Sequence, residues 1–159
     1  VPLAWLSAIN AEFQNPDVKM VVGGVRIKRS ASFFSKLQAL EFSSLIGSSA
    51  AMLSLGFPIM CNGANLSYRK EAFVEVNGFR DNTQIASGDD DFLMRKMANT
   101  FGPKSLRFLN NPNAVVDTIP QISISDFFAQ RIRWAGKWKY NSSNLVKLLA
   151  FFIFLFHNC

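Results

Sequence analysis

The sequence predicts an α/β domain, a mixed sheet with flanking helices, and three observations carry that prediction. A β-rich run at 18–27, with Met20-Val21-Val22-Gly23-Gly24-Val25 at its centre, lies between two stretches of helical spacing. Two more strand-like pieces, 105–109 and 114–118, lie between a second pair of such stretches. Elements that alternate in this way pack as sheet and helix layers. The chain is 49% hydrophobic and holds 16 Phe, enough to bury a core, which excludes a disordered chain.

Each element follows from local pattern. Leu3, Leu6, Ile9 and Phe13 recur every three or four residues and predict an amphipathic helix that Asn15-Pro16 ends. Residues 18–27 read as one buried strand with a glycine kink. Arg26, Lys28 and Arg29 follow as a solvated strand end, or as a rim for an anionic substrate. Residues 30–55, apolar at Phe33, Phe34, Leu37, Leu40, Leu45, Met52 and Leu53, predict one long helix or two broken near Gly47-Ser48-Ser49. Two short strand-like pieces flank Asn62-Gly63, a hairpin or bulge signal. That segment is a plain turn, or a place where glycine and asparagine let the backbone approach a ligand.

Residues 70–76 predict a short helix capped by Asn77-Gly78-Phe79, and 81–87 a polar loop. The acidic cluster Ser87-Gly88-Asp89-Asp90-Asp91 then leads into Phe92, Leu93, Met97 and Phe101 at helical spacing, so the three carboxylates fall at a helix start. The strand-like pieces 105–109 and 114–118 are separated by the turn cluster Asn110-Asn111-Pro112-Asn113. A last helix is expected over 124–140, with Ser125 as N-cap and Asp126 in the first turn.

The net charge of +6 favours anionic partners such as phosphates, nucleotides or a lipid surface. Two cysteines, Cys61 and Cys159, make no disulfide framework, and no metal spacing links them to His157, so the compartment reads as reducing. Cys61 reads as a small buried hydrophobe rather than a nucleophile. Residues 145–156 are apolar apart from Lys147. A spanning helix needs about 20 such residues, so the run is either a buried terminal helix or the opening of a truncated transmembrane segment. The second is preferred because nothing amphipathic interrupts 148–156. The chain therefore divides into a domain at 1–140 and a membrane-directed segment at 141–159.

Two anchors carry the chemistry. Aspartates in a first helical turn gain about 0.3–1 kcal/mol each from the helix dipole. Three in a row repel one another, which suits a general base or a hard cation as well as a cap. The second anchor is Gln130-Arg131-Ile132-Arg133-Trp134. On a helix, Gln130 shares a face with Arg133 and with Trp134. An amide, a forked guanidinium and an indole together suit a phosphate and a sugar ring. The plainer alternative is a basic amphipathic helix resting on anionic lipid through Arg131, Arg133, Lys137, Lys139, Trp134 and Trp138.

The order Asn62-Gly63-Ala64-Asn65, Tyr68-Arg69, Gly78-Phe79, Ser87-Gly88-Asp89-Asp90, Gln130-x-x-Arg133-Trp134 and apolar tail resembles the C-terminal half of a membrane-associated family-2 glycosyltransferase, over nearly the whole chain. The resemblance implies a partial GT-A fold, a nucleotide-diphospho-sugar donor, a glycan or lipid acceptor, and a catalytic domain on the cytoplasmic face of a membrane. It maps the family's Glu-Asp pair onto Asp89-Asp90 and makes Asp90 the base that deprotonates the acceptor hydroxyl. A register shift of one would give that role to Asp89. It places Gln130, Arg133 and Trp134 around the acceptor and diphosphate, and Asn62, Gly63 and Asn65 in the loop beside the acceptor. It also implies a divalent cation, Mg²⁺ or Mn²⁺, whose ligands precede Val1, so that this chain carries no metal ligand and is inactive alone. The two anchors are expected to converge on one cleft. The competing expectation is a non-catalytic membrane-surface scaffold. Nucleic acid is not an expected partner, because the basic residues are not interleaved with stacking aromatics outside one helix.

Overall fold

The structure, a computed structural model, describes residues 1–28, 30–80 and 88–136. They form two compact units: residues 1–28, 30–80 and 89–120 in the first, and residue 88 with 121–136 in the second. The first unit holds both sheets. Its larger sheet has the order β3-β1-β4, where β1 is Met20–Gly23, β3 is Leu66–Tyr68 and β4 is Leu106–Leu109. Strand β1 runs antiparallel to β3 and parallel to β4, so the sheet is mixed as expected. A second sheet pairs β2 (Val25–Ile27) in parallel with β5 (Val116–Thr118).

The central strand is buried along its whole length because both its faces are covered. Successive side chains point to opposite faces, and the core divides accordingly. Met20, Val22 and Leu106 join Leu93, Met94 and Met97 on one side. Val21 and Leu109 join Ile9, Val18 and Ala114 on the other. Each fully buried Leu or Met contributes about 1.5–3 kcal/mol, so the three side chains of α4 (Asp89–Phe101) at 93, 94 and 97 anchor that helix firmly.

Several elements differ from the sequence expectation for identifiable reasons. Residues 18–27 are two strands, not one kinked strand, because the chain leaves the first sheet at Gly24 and enters the second. Helix α1 spans Trp5–Phe13, and its inward side is Trp5, Ala8, Ile9 and Phe13, while Leu3 and Leu6 face solvent. Helix α2 is continuous over Phe33–Ser54, without a break at Gly47. It buries Ser35, Gln38, Phe42, Ser49 and Leu53 and exposes Phe33, Leu37 and Leu40. The piece before Asn62 is not a strand, and a 3-10 turn at Gly63–Asn65 replaces the hairpin. Helix α3 (Lys70–Glu75) ends on the left-handed pair Asn77 and Gly78 as expected.

Helix α5 of the second unit covers Ile124–Gly136. Ser123, not Ser125, caps it: the Ser123 hydroxyl accepts the Asp126 N–H at 3.0 Å and donates to the Asp126 carboxylate at 2.6 Å. Among the described residues no helix is long and apolar enough to cross a membrane. The apolar run at 145–156 lies outside the described residues.

Candidate functional site

Three consecutive aspartates open α4, and their surroundings separate them. Asp89 is exposed. Asp91 is buried, and its Oδ1 accepts the N–H of Cys61 at 2.7 Å. Asp90 lies between these extremes, half-buried. Its Oδ2 accepts the N–H of Gly63 at 2.9 Å and its Oδ1 the N–H of Asp91 at 2.9 Å. Backbone donors therefore fix the plane of the Asp90 carboxylate. Each carboxylate oxygen offers two acceptor positions, so the oxygens can hold these backbone donors and still meet others.

The loop that faces these acids is tied down from both sides. The buried Ser49 hydroxyl of α2 donates to the carbonyl of Met60, and Asp91 and Asp90 then take the N–H groups of Cys61 and Gly63. Asn62 folds its side chain back onto the Ala64 N–H at 2.9 Å, which sets the 3-10 turn. Gly63 is exposed, and a Cβ there would sit 3.4 Å from Asp90 Oδ2. The absence of that methyl keeps the carboxylate uncovered.

Asn65 serves the frame. It is 2% exposed, its Nδ2 donates to the carbonyls of Gly24 and Ala114 at 2.8 Å each, and its Oδ1 accepts the indole N–H of Trp5 at 2.9 Å. The amide group thus joins α1, the break between β1 and β2, and the turn before β5, with its polar atoms turned inward. Gly23 accommodates it, since a Cβ at that position would lie 2.3 Å from Asn65 Nδ2. Arg69 is likewise committed to structure: its guanidinium donates to the carbonyls of Phe13, Asn15 and Val18 and stacks on the Phe13 ring.

Gln130, Arg133 and Trp134 lie on α5 in the second unit. Gln130 and Trp134 are half-buried and Arg133 is exposed. Arg131, which sequence reasoning assigned only to a lipid-facing surface, sits 4.4 Å from the Phe127 ring centre and 4.3 Å from that of Trp134. The signal that could have found it is an arginine with aromatic residues four before and three after it. No comparable signal exists for Asp91, whose partner lies thirty positions away in the chain.

Cys61 Sγ and carboxylate oxygens of Asp90 and Asp91 lie within 4.8 Å of one another. They fit a hard divalent cation poorly. One donor is a soft thiol, and one carboxylate already accepts the Cys61 N–H.

A carboxylate fixed by backbone donors, half open and beside a residue without a side chain defines a site suited to taking a proton from an incoming hydroxyl. The family model described as Glycosyl transferase family group 2 matches residues 1–158, and the chain belongs to that family. No curated protein and no solved structure matches it significantly.

Proposed function

We propose that the chain carries the acceptor-side half of an inverting glycosyltransferase, with Asp90 as the general base. The acceptor oxygen attacks the anomeric carbon of a nucleotide-diphospho-sugar as its proton passes to Asp90. The bond from that carbon to the diphosphate oxygen breaks, and its electron pair leaves with the nucleoside diphosphate. A single displacement of this kind inverts the anomeric centre. The observation that carries the reading is the setting of Asp90, fixed by the N–H groups of Gly63 and Asp91 yet half open beside Gly63. Asp91 is unsuited to the role because it is buried against Cys61. Gln130, Arg133 and Trp134 supply an amide, a fork and an indole for the diphosphate and the sugar. Asn62 and Gly63 border the acceptor, while Asn65 supports them from beneath. A glycan or lipid acceptor at the cytoplasmic face of a membrane fits the net charge of +6, which favours both an anionic donor and an anionic surface. The family commonly uses a divalent cation, but no step above is assigned to one.

The test is Asp90→Asn beside Asp91→Asn in the natural full-length protein, assayed with UDP-glucose, UDP-N-acetylglucosamine and GDP-mannose. A positioned base contributes about 10²–10⁴-fold. Asp90→Asn should lose that much of kcat with only a small drop in melting temperature, since the amide keeps one of the two backbone contacts, whereas Asp91→Asn should chiefly lower stability. Full activity in Asp90→Asn removes the proposed base. The rival scaffold reading predicts no sugar transfer from any of these donors while membrane association persists.

A further inference from the structure

We propose that Arg131 is a positioning residue, which fixes the Trp134 indole and the direction of the Gln130 amide without itself holding the substrate. The proposal rests on the reading of Gln130 and Trp134 as substrate-facing. Phe127, Arg131 and Trp134 follow at four and then three residues, so they share one face of α5. The guanidinium carbon lies 4.4 Å from one ring centre and 4.3 Å from the other, within the range of cation–π attraction to both. Arg131 Nη1 also donates to Gln130 Oε1 at 2.6 Å.

This contact orients the glutamine unambiguously. A guanidinium has donors only, so the amide atom facing it must be the oxygen. The Gln130 NH₂ is then turned the other way and presents two donors, which suit a diphosphate or sugar oxygen. Meanwhile the Arg131 guanidinium is drawn to two rings of its own helix and donates to the Gln130 amide, so it is held within the helix. The gain is preorganisation: an indole and an amide whose rotamers are already chosen lose less freedom when a ligand arrives. Arg133, exposed on the same helix, is left as the phosphate-directed fork.

The experiment combines a double-mutant cycle with fluorine NMR in the full-length protein. Transfer from the three nucleotide sugars above is measured for wild type, Arg131→Met, Trp134→Leu and the pair. Arg131→Met should lower kcat/KM by about tenfold, the order expected for loss of two cation–π contacts, and Arg131→Lys should restore part of it. In the Trp134→Leu background Arg131→Met should cost little more, because its effect passes through the indole. Independent, multiplicative losses overturn the proposal and make Arg131 a ligand-binding residue. In 5-fluorotryptophan-labelled protein, Arg131→Met should move the Trp134 resonance and leave that of Trp5 in place. An unmoved Trp134 resonance also overturns it. Should Trp134→Leu transfer sugar normally, the substrate-facing reading of Trp134 fails, and the fluorine spectrum alone decides whether Arg131 sets the ring.

Discussion

At the scale of single residues, the decisive contrast lies within Asp89-Asp90-Asp91. The same functional group is exposed, half-open or buried depending on its place in the first turn of α4 and on which N–H of the facing loop reaches it. Gly63 completes the contrast. A methyl at that position would make ordinary contact with Asp90 at 3.4 Å. Gly63→Ala should therefore fold, with a change in stability below about 1 kcal/mol, yet hinder the acceptor and raise its KM. Denaturation curves and acceptor-dependent kinetics separate the two effects, and a normal acceptor KM would show that the Gly63 face is not the approach. Much of this was legible in advance. Acids before Phe92-Leu93 mark a helix start, and Asn62-Gly63 marks a turn. What could not be read was which acid each loop N–H would select, because sequence carries no trace of a contact spanning thirty positions. Asn65 shows the same limit from the other side: its polarity suggested a ligand contact, whereas its three partners are Gly24, Ala114 and Trp5.

Among elements, the joints between strands govern stability. Gly23 at the end of β1 leaves room for the Asn65 amide, and an added Cβ would fall 2.3–2.6 Å from three of its atoms. Because that amide is buried and bonded to three segments, it cannot swing aside cheaply. Gly23→Ala should destabilise by about 2–4 kcal/mol, through overpacking and lost hydrogen bonds together, as urea denaturation would measure. A loss under 0.5 kcal/mol would mean the clamp yields. Strands β2 and β5 are joined at the surface by Arg26 Nε and Asp117 Oδ1, 2.6 Å apart. The hydrogen bond from Arg26 holds the Asp117 carboxyl below its usual range; loss of hydration opposes it, and the charges of Arg26 and Lys28 add to the lowering. A depressed acid stabilises the fold above its unfolded pKa, and that contribution is lost as pH falls through the lowered folded value. Both side chains are well exposed, so the contribution is modest. NMR titration should find Asp117 moving back toward the ordinary carboxylate range in Arg26→Gln, and an unchanged midpoint would deny the pair its role. The strands themselves were legible from β-rich runs. Their division between two sheets was not, since a glycine pair reads equally well as a kink or as an exit.

For the whole molecule, proton transfer is proposed for Asp90 of the sheet-bearing unit and phosphate binding for Arg133 of α5. If both serve one reaction, their variants should fail differently. Arg133→Ala should raise the KM for the nucleotide sugar several-fold with a smaller effect on kcat, whereas Asp90→Asn should do the reverse. Identical kinetic signatures for the two would argue against separate roles in binding and proton transfer. The family and its α/β architecture were visible from the order of motifs along the chain. The basic-aromatic motif was visible too, but its internal arrangement was not, because helical spacing assigns faces and cannot say which arginine turns toward a ring.

Helix α2 buries Gln38, Ser49, Phe42 and Leu53 and shows Phe33, Leu37 and Leu40 to solvent. For anyone resurfacing this domain the usual intuition about hydropathy therefore runs backwards. Charged replacements at the three outward apolar sites leave the packing of the helix intact, while conversion of the inward glutamine and serine to larger greasy residues would prise it from the sheet.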